Sequence, residues 1–191
     1  TDEQVKSFQD KIPNLKYLTK SDFDGDKLLG RLILQGIQEK EDLQNQDAYD
    51  EINVELESVY QSSLVNKTHW SSYFLNLQKI IDTIWEAGSI VGCSRGSGGG
   101  FLILYVLGII QINCLRETTK TFHWRYLNPA RGSVLDVDID VSGLRRKQIL
   151  DKFREVYGED RVCKVLTLGT ESTKSAILSA ARGLGIDNDV A

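Results

Sequence analysis

Methionine is missing altogether from this 191-residue chain, which begins at Thr1. That absence suggests a piece excised from a longer protein. There is no basic excess either: the net charge is −4. A global positive field for nucleic acid is therefore excluded, and any basic patch must be local. Cysteine is scarce, and Cys93, Cys114 and Cys163 are odd in number and widely spaced. They form neither a disulfide framework nor zinc-ligand spacing, which fits a reducing, cytoplasmic setting. No long apolar run exists. The stretch Phe101–Ile112 is too short for a membrane span and contains Gly108, so no membrane partner is expected. The polar N-terminus does not read as a signal peptide, and no internal repeat or low-complexity tract is visible.

What is present describes a globular protein: 41% hydrophobic and 26% charged residues, in a length that holds one moderate domain or one domain with a helical appendage. Residues from Asp2 to about Asp24 read as polar chain lying extended over a surface. In "SDFDGD" the carboxylates precede a helical pattern that should bury Leu28, Leu29, Leu32, Ile33 and Ile37. The bidentate glutamate of a calcium loop is missing there, so cap and loop is the better reading. A second helix should span about 47–62 with Ile52, Val54, Leu56 and Val59 as apolar contacts. A third, about 70–87, carries Phe74, Leu75, Leu77, Ile80, Ile81, Ile84 and Trp85 and should end at Gly88. "SIVG" reads as a short buried strand, and "CSRGSGGG" as a turn into the helix "FLILYVLGII". Leu144–Tyr157 reads as an amphipathic helix closed by Gly158. "RVCKVLTL" alternates like a strand, and "ESTKSAILSAARGLG" is a last helix.

Two motifs carry chemistry. In Gly92–Gly100 the glycines allow close backbone approach to a ligand, and Arg95 and Ser97 offer donors to phosphate oxygens. No Lys-Ser/Thr pair follows, so this is no Walker A loop, and the G-x-G-x-x-G turn is absent. In "SVLDVDIDVSG", Asp136, Asp138 and Asp140 alternate with apolar residues. A strand over Ser133–Val141 would place the three carboxylates on one face and Val137, Ile139 and Val141 on the other. Their mutual repulsion calls for a metal ion, an arginine cluster or solvent. Taken singly, the motifs have plain readings as a turn before a buried helix and an edge strand facing water. Together they fit nucleotidyl transfer, in which carboxylate-held divalent ions bridge a triphosphate and a nucleophile.

"YFLNLQKIIDTIWEAGSIVGCSRGSGGGFLILYVLGI", "RYLNPARGSVLDVDID" and "VYGEDRVCKVLTLGTESTK" resemble, in order and spacing, the palm of the bacterial replicative DNA polymerase III alpha subunit, the C-family polymerases. The likeness runs from about Tyr49 to Gly185, and more weakly back to Leu28. It implies an α+β fold: a palm like that of DNA polymerase beta-type nucleotidyltransferases, a small mixed sheet with helices, preceded by a helical segment. The implied division is an N-terminal extended or helical segment at 1–66, the palm at 67–169, and the first thumb helix at 170–191. Arg95, Gly96, Ser97, Arg125 and Arg131 would grip the triphosphate. Asp138 and Asp140 would be the catalytic metal ligands, with Asp136 in support, and Lys174 and Arg182 would touch the DNA backbone. The resemblance further implies a two-metal Mg²⁺ site whose third carboxylate lies outside this chain. The implied partners are primer-template DNA, dNTPs and, through other regions, the sliding clamp and replisome subunits.

There are departures from the family pattern. Cys93 and Ser94 stand before Arg95 where the family has Pro and Gly, Leu135 replaces a proline, and "IIQINCL" replaces an acidic stretch. The chain therefore reads as part of a divergent DNA-directed DNA polymerase, inactive alone. A stand-alone nucleotidyltransferase and a catalytically silent interaction module are the alternatives.

Overall fold

The computed structural model describes residues 2–116, 121–130 and 135–186. Helices dominate: α1 (Asp2–Lys11), α2 (Lys16–Thr19), α3 (Asp24–Glu39), α4 (Gln46–Asn66), α5 (Trp70–Glu86), α6 (Leu102–Val106), α7 (Arg146–Tyr157) and α8 (Thr173–Gly183). Local chemistry sets several ends. Asp24 and Asp26 fall in the first turn of α3, where acidic side chains meet the positive end of the helix dipole. Asn45 caps α4, its Oδ1 accepting from the Ala48 N–H at 3.0 Å. Gly88, at φ +75°, follows α5, and Gly158 closes α7 by donating its N–H to the Arg154 carbonyl at 2.9 Å.

The core forms where α3 packs on α5, α4 on α6, and α5 on α7. Leu29, Ile33 and Ile37, four residues apart, make the buried stripe of α3. Gly36 lies against α6 so closely that an added Cβ would collide with the Val106 carbonyl oxygen. Phe74 and Phe101, both fully buried, stack with centroids 5.9 Å apart, and Tyr126 joins Phe101 at 5.0 Å. Burial of each such ring stabilises the fold by about 1.5–3 kcal/mol.

The expected α+β palm with a mixed sheet is not what forms. Among the described residues there is no sheet, only an antiparallel bridge between Val91 and Val141. One bridge lacks the ladder of paired strands a sheet needs. The "SIVG" strand reduces to this bridge. Residues 135–140 carry no ladder, and Ser133 and Val134 lie outside the described residues. "RVCKVLTL" has the alternation of a strand but no neighbour to pair with, so Val165, Leu166 and Leu168 are exposed.

Other expectations are corrected as well. The N-terminal segment is helical rather than extended, with Phe8 set edge-on to Tyr49 at 6.0 Å. The helix expected over "FLILYVLGII" stops at Val106, and Gly108 adopts φ +72° just beyond. Leu28, Val54 and Trp85 are exposed, being off the buried stripes of their helices.

Lys67 ends α4 in a left-handed conformation, φ +51°, which an L side chain resists. Lys67→Gly is expected to raise stability by about 0.5–1 kcal/mol, the relieved strain exceeding the added chain entropy. A urea midpoint below wild type would contradict this.

Candidate functional site

The glycine-rich turn and the acidic stretch meet. The turn begins where Arg95 leaves the Val91 bridge in an extended conformation; Gly96–Gly100 then coils into a single 3-10 helix ahead of α6. Gly96 has φ +66°, and an added Cβ there would stand 3.0 Å from the Asp138 Oδ2. The positive φ favours glycine, and the Asp138 carboxylate would have to shift slightly to admit a side chain. Gly92 donates its N–H to the Asp140 carbonyl at 2.8 Å, and a Cβ on Gly92 would press on the Asp140 Cβ at 2.9 Å. Arg95 donates from Nη1 to Asp140 Oδ1 at 2.9 Å. That hydrogen bond, with the negative field of Asp138 behind it, raises the guanidinium pKa above its ordinary value.

Residues 135–140 alternate as their composition predicts, although no strand forms. Asp136, Asp138 and Asp140 are exposed, while Leu135, Val137 and Ile139 pack against the core. The apolar side chains thus anchor the segment and turn the carboxylates to solvent beside the glycine turn.

The remaining predicted residues are placed less tightly. Ser97 is exposed within the turn. Arg125 is exposed on the 3-10 turn His123–Arg125, which packs beside Gly96–Gly100. Arg131 lies outside the described residues. Lys174 and Arg182 are exposed on α8.

Glu55 has a part in this architecture that neither motif indicates. Fully buried, it accepts from the Leu102 N–H at 2.5 Å and the Ile103 N–H at 2.8 Å. It thereby pins the start of α6, and with it the exit of the glycine turn. Burial drives its pKa well up, against the two N–H bonds that favour the carboxylate. The signal was present: Ile52, Glu55, Leu56 and Val59 follow i, i+3, i+4, i+7, which sets an acid inside an apolar stripe. Phe122 and Trp124, stacked at 5.5 Å and half exposed beside Arg125, likewise belong to neither motif.

Two neighbouring carboxylates are hard oxygen donors of the kind Mg²⁺ accepts, together with waters and phosphate oxygens. Among the described residues no group of three His, Cys, Asp or Glu side chains is placed to hold a metal ion. Asp138 and Asp140 therefore fit a divalent ion whose shell is completed by a bound phosphate. They do not fit a closed protein cage.

Residues 27–191 match the family described as the bacterial DNA polymerase III alpha NTPase domain. A probable DNA polymerase, YorL, of Bacillus subtilis (strain 168) is 36% identical over 195 aligned positions, covering 97% of this chain and 15% of that protein. The DNA-directed DNA polymerase of Bacillus phage SPbeta matches to the same extent. The DNA polymerase III subunit alpha of Escherichia coli (strain K12) is 35% identical over 169 positions, 88% of this chain and 14% of the relative. The chain thus spans about 15% of the length of such relatives. Among the described residues, no helix is long and apolar enough to cross a membrane.

Proposed function

The chain belongs to the bacterial DNA polymerase III alpha family, and on that premise we propose that it forms part of the nucleotide and metal site of a DNA-directed DNA polymerase. The observation that supports this most is the contact of the glycine turn with the acidic stretch: Arg95 on Asp140, and Gly96 against Asp138. In this reading 67–169 is the palm segment and 170–191 opens the thumb. Primer-template DNA and dNTPs are the substrates, and the clamp and other replisome subunits engage other regions.

Asp138 and Asp140 would hold Mg²⁺, which when bound would supply neutralisation of phosphate charge and activation of the attacking hydroxyl. Arg95, held beside Asp140 by a charge-assisted hydrogen bond, transfers that bond to a phosphate oxygen when a triphosphate enters. Gly96 leaves room for the phosphate next to Asp138, and the Ser97 hydroxyl donates to it. Arg125, and Arg131 farther along the same segment, balance the remaining charge. Lys174 and Arg182 meet the DNA backbone as exposed cations on α8, a salt-sensitive contact.

Phosphoryl transfer draws most of its rate from positioning and preorganised charge. Among the described residues no third acidic side chain joins Asp138 and Asp140 in a metal-binding group, so the pair supplies only part of that. A primer-extension gel with Mg²⁺, dNTPs and primed template is therefore expected to show no extension by the 191-residue chain alone. Extension that vanishes in Asp138→Asn/Asp140→Asn would show a complete enzyme and contradict the partial-site reading.

A further inference from the structure

A cavity of about 560 Å³ opens between α2, the end of α4 and the turn leading into α5. Its inner wall is apolar, formed by Leu56, Val59 and the ring of Tyr60. Tyr17, which also lines the cavity, stacks on that ring at 3.9 Å and 4°. The rim is basic, carrying Lys16, Lys20, Lys67 and His69. Among the described residues none of these three lysines has an ion-pair partner.

Asp26 is the one carboxylate lining the cavity. It is already engaged, accepting from Ser21 Oγ at 2.6 Å and facing His69 Nδ1 at 3.0 Å. Glu57, nearby, accepts from the Tyr17 hydroxyl at 2.9 Å. Three lysines thus share the lining with a single carboxylate, a local excess of positive charge beside the apolar wall. Lys67 contributes to that rim from a left-handed backbone conformation. Strain of that kind is found where function holds it in place.

A cavity of this size suits a small organic ligand. We propose that it binds a nucleoside monophosphate group, with the phosphate on Lys16, Lys20 and Lys67 and the flat base against Tyr60, Leu56 and Val59. This site is separate from the Asp138–Asp140 site and does not depend on it. The same chemistry is offered by a free nucleotide and by the 5′-phosphorylated end of a DNA strand.

The test is a ¹H–¹⁵N titration of the 191-residue chain. Four probes are used: dAMP, deoxyadenosine, and a single-stranded hexanucleotide with and without a 5′-phosphate. Saturable dAMP shifts are expected at the Lys67, Thr68 and His69 amides, with none from deoxyadenosine. Lys67→Gly, which relieves backbone strain, should weaken dAMP binding at least about tenfold without lowering the melting temperature. Asp138→Asn/Asp140→Asn should leave it unchanged. Tighter binding of the phosphorylated hexamer than of dAMP or the unphosphorylated hexamer assigns the site to strand ends; weaker binding assigns it to free nucleotides. No shifts at these amides, shifts indifferent to Lys67→Gly, or equal binding of deoxyadenosine would overturn the proposal.

Discussion

A full-length polymerase carrying this segment with Asp138→Asn and Asp140→Asn is expected to lose nucleotide incorporation by on the order of 10³-fold or more. Both side chains are exposed, and Val137 and Ile139 hold the segment from the opposite side. Asparagine keeps the size of aspartate, so the packing of that segment survives. What disappears is the negative charge that a hard cation requires. Arg95 loses its partner at the same time, since its bond to Asp140 is the one ion pair it makes among the described residues. Thermal stability should change by no more than about 0.5 kcal/mol, as for most exposed substitutions. Single-nucleotide incorporation, measured beside a melting curve, separates the two effects. Incorporation within about tenfold of wild type would rule these carboxylates out as the metal ligands.

The second large effect is structural. Glu55→Ala is expected to destabilise the chain by about 3 kcal/mol or more, because it orphans two buried N–H donors and leaves a cavity. Those donors belong to Leu102 and Ile103, directly after the glycine turn. The turn should therefore loosen before the rest of the fold unfolds. Glu55 also gives stability a pH dependence. Burial raises its pKa in the folded state well above the ordinary 4.5. Between those two values the folded chain keeps a proton that the unfolded chain has released. The contribution is thus fully present at low pH and is lost as pH rises from about 4.5 through the folded value. Glu55→Gln cannot titrate. The stability of wild type minus that of Glu55→Gln should therefore fall with rising pH, as read from urea midpoints. A difference that is flat or rises with pH would contradict the assignment.

Much of the helical architecture was legible because its signals are local. The apolar spacing in α5 and the glycines after α5 and α7 placed those helices to within a residue or two. The alternation of Asp136, Asp138 and Asp140 separates exposed carboxylates from packed Val137 and Ile139, but Val141, expected on the packed face, is exposed. It did not report a strand, because a strand is made by its neighbours. Val165, Leu166 and Leu168 show the same failure: a strand-like pattern with nothing beside it. Helix length was misjudged where a glycine intervened, at Gly108. The meeting of Arg95 with Asp140, forty-five residues apart, follows from no local pattern. The reading of the two motifs as one triphosphate site brings the glycine turn toward the acidic stretch without naming this ion pair. Glu55 could have been singled out from its place in an apolar stripe, although the pairing with Leu102 and Ile103 depends on tertiary packing.

If the glycine turn and the acidic stretch form one site for a divalent ion and a triphosphate, both segments must sense the same bound metal. Paramagnetic broadening by substoichiometric Mn²⁺, read in ¹H–¹⁵N spectra of the chain with dTTP present, tests it most directly. Broadening is expected to concentrate on the amides of Gly92–Gly98 and Val137–Val141 together, to deepen when dTTP is added, and to vanish in Asp138→Asn/Asp140→Asn. Broadening confined to one of the two segments, or surviving the double substitution, would contradict a shared site.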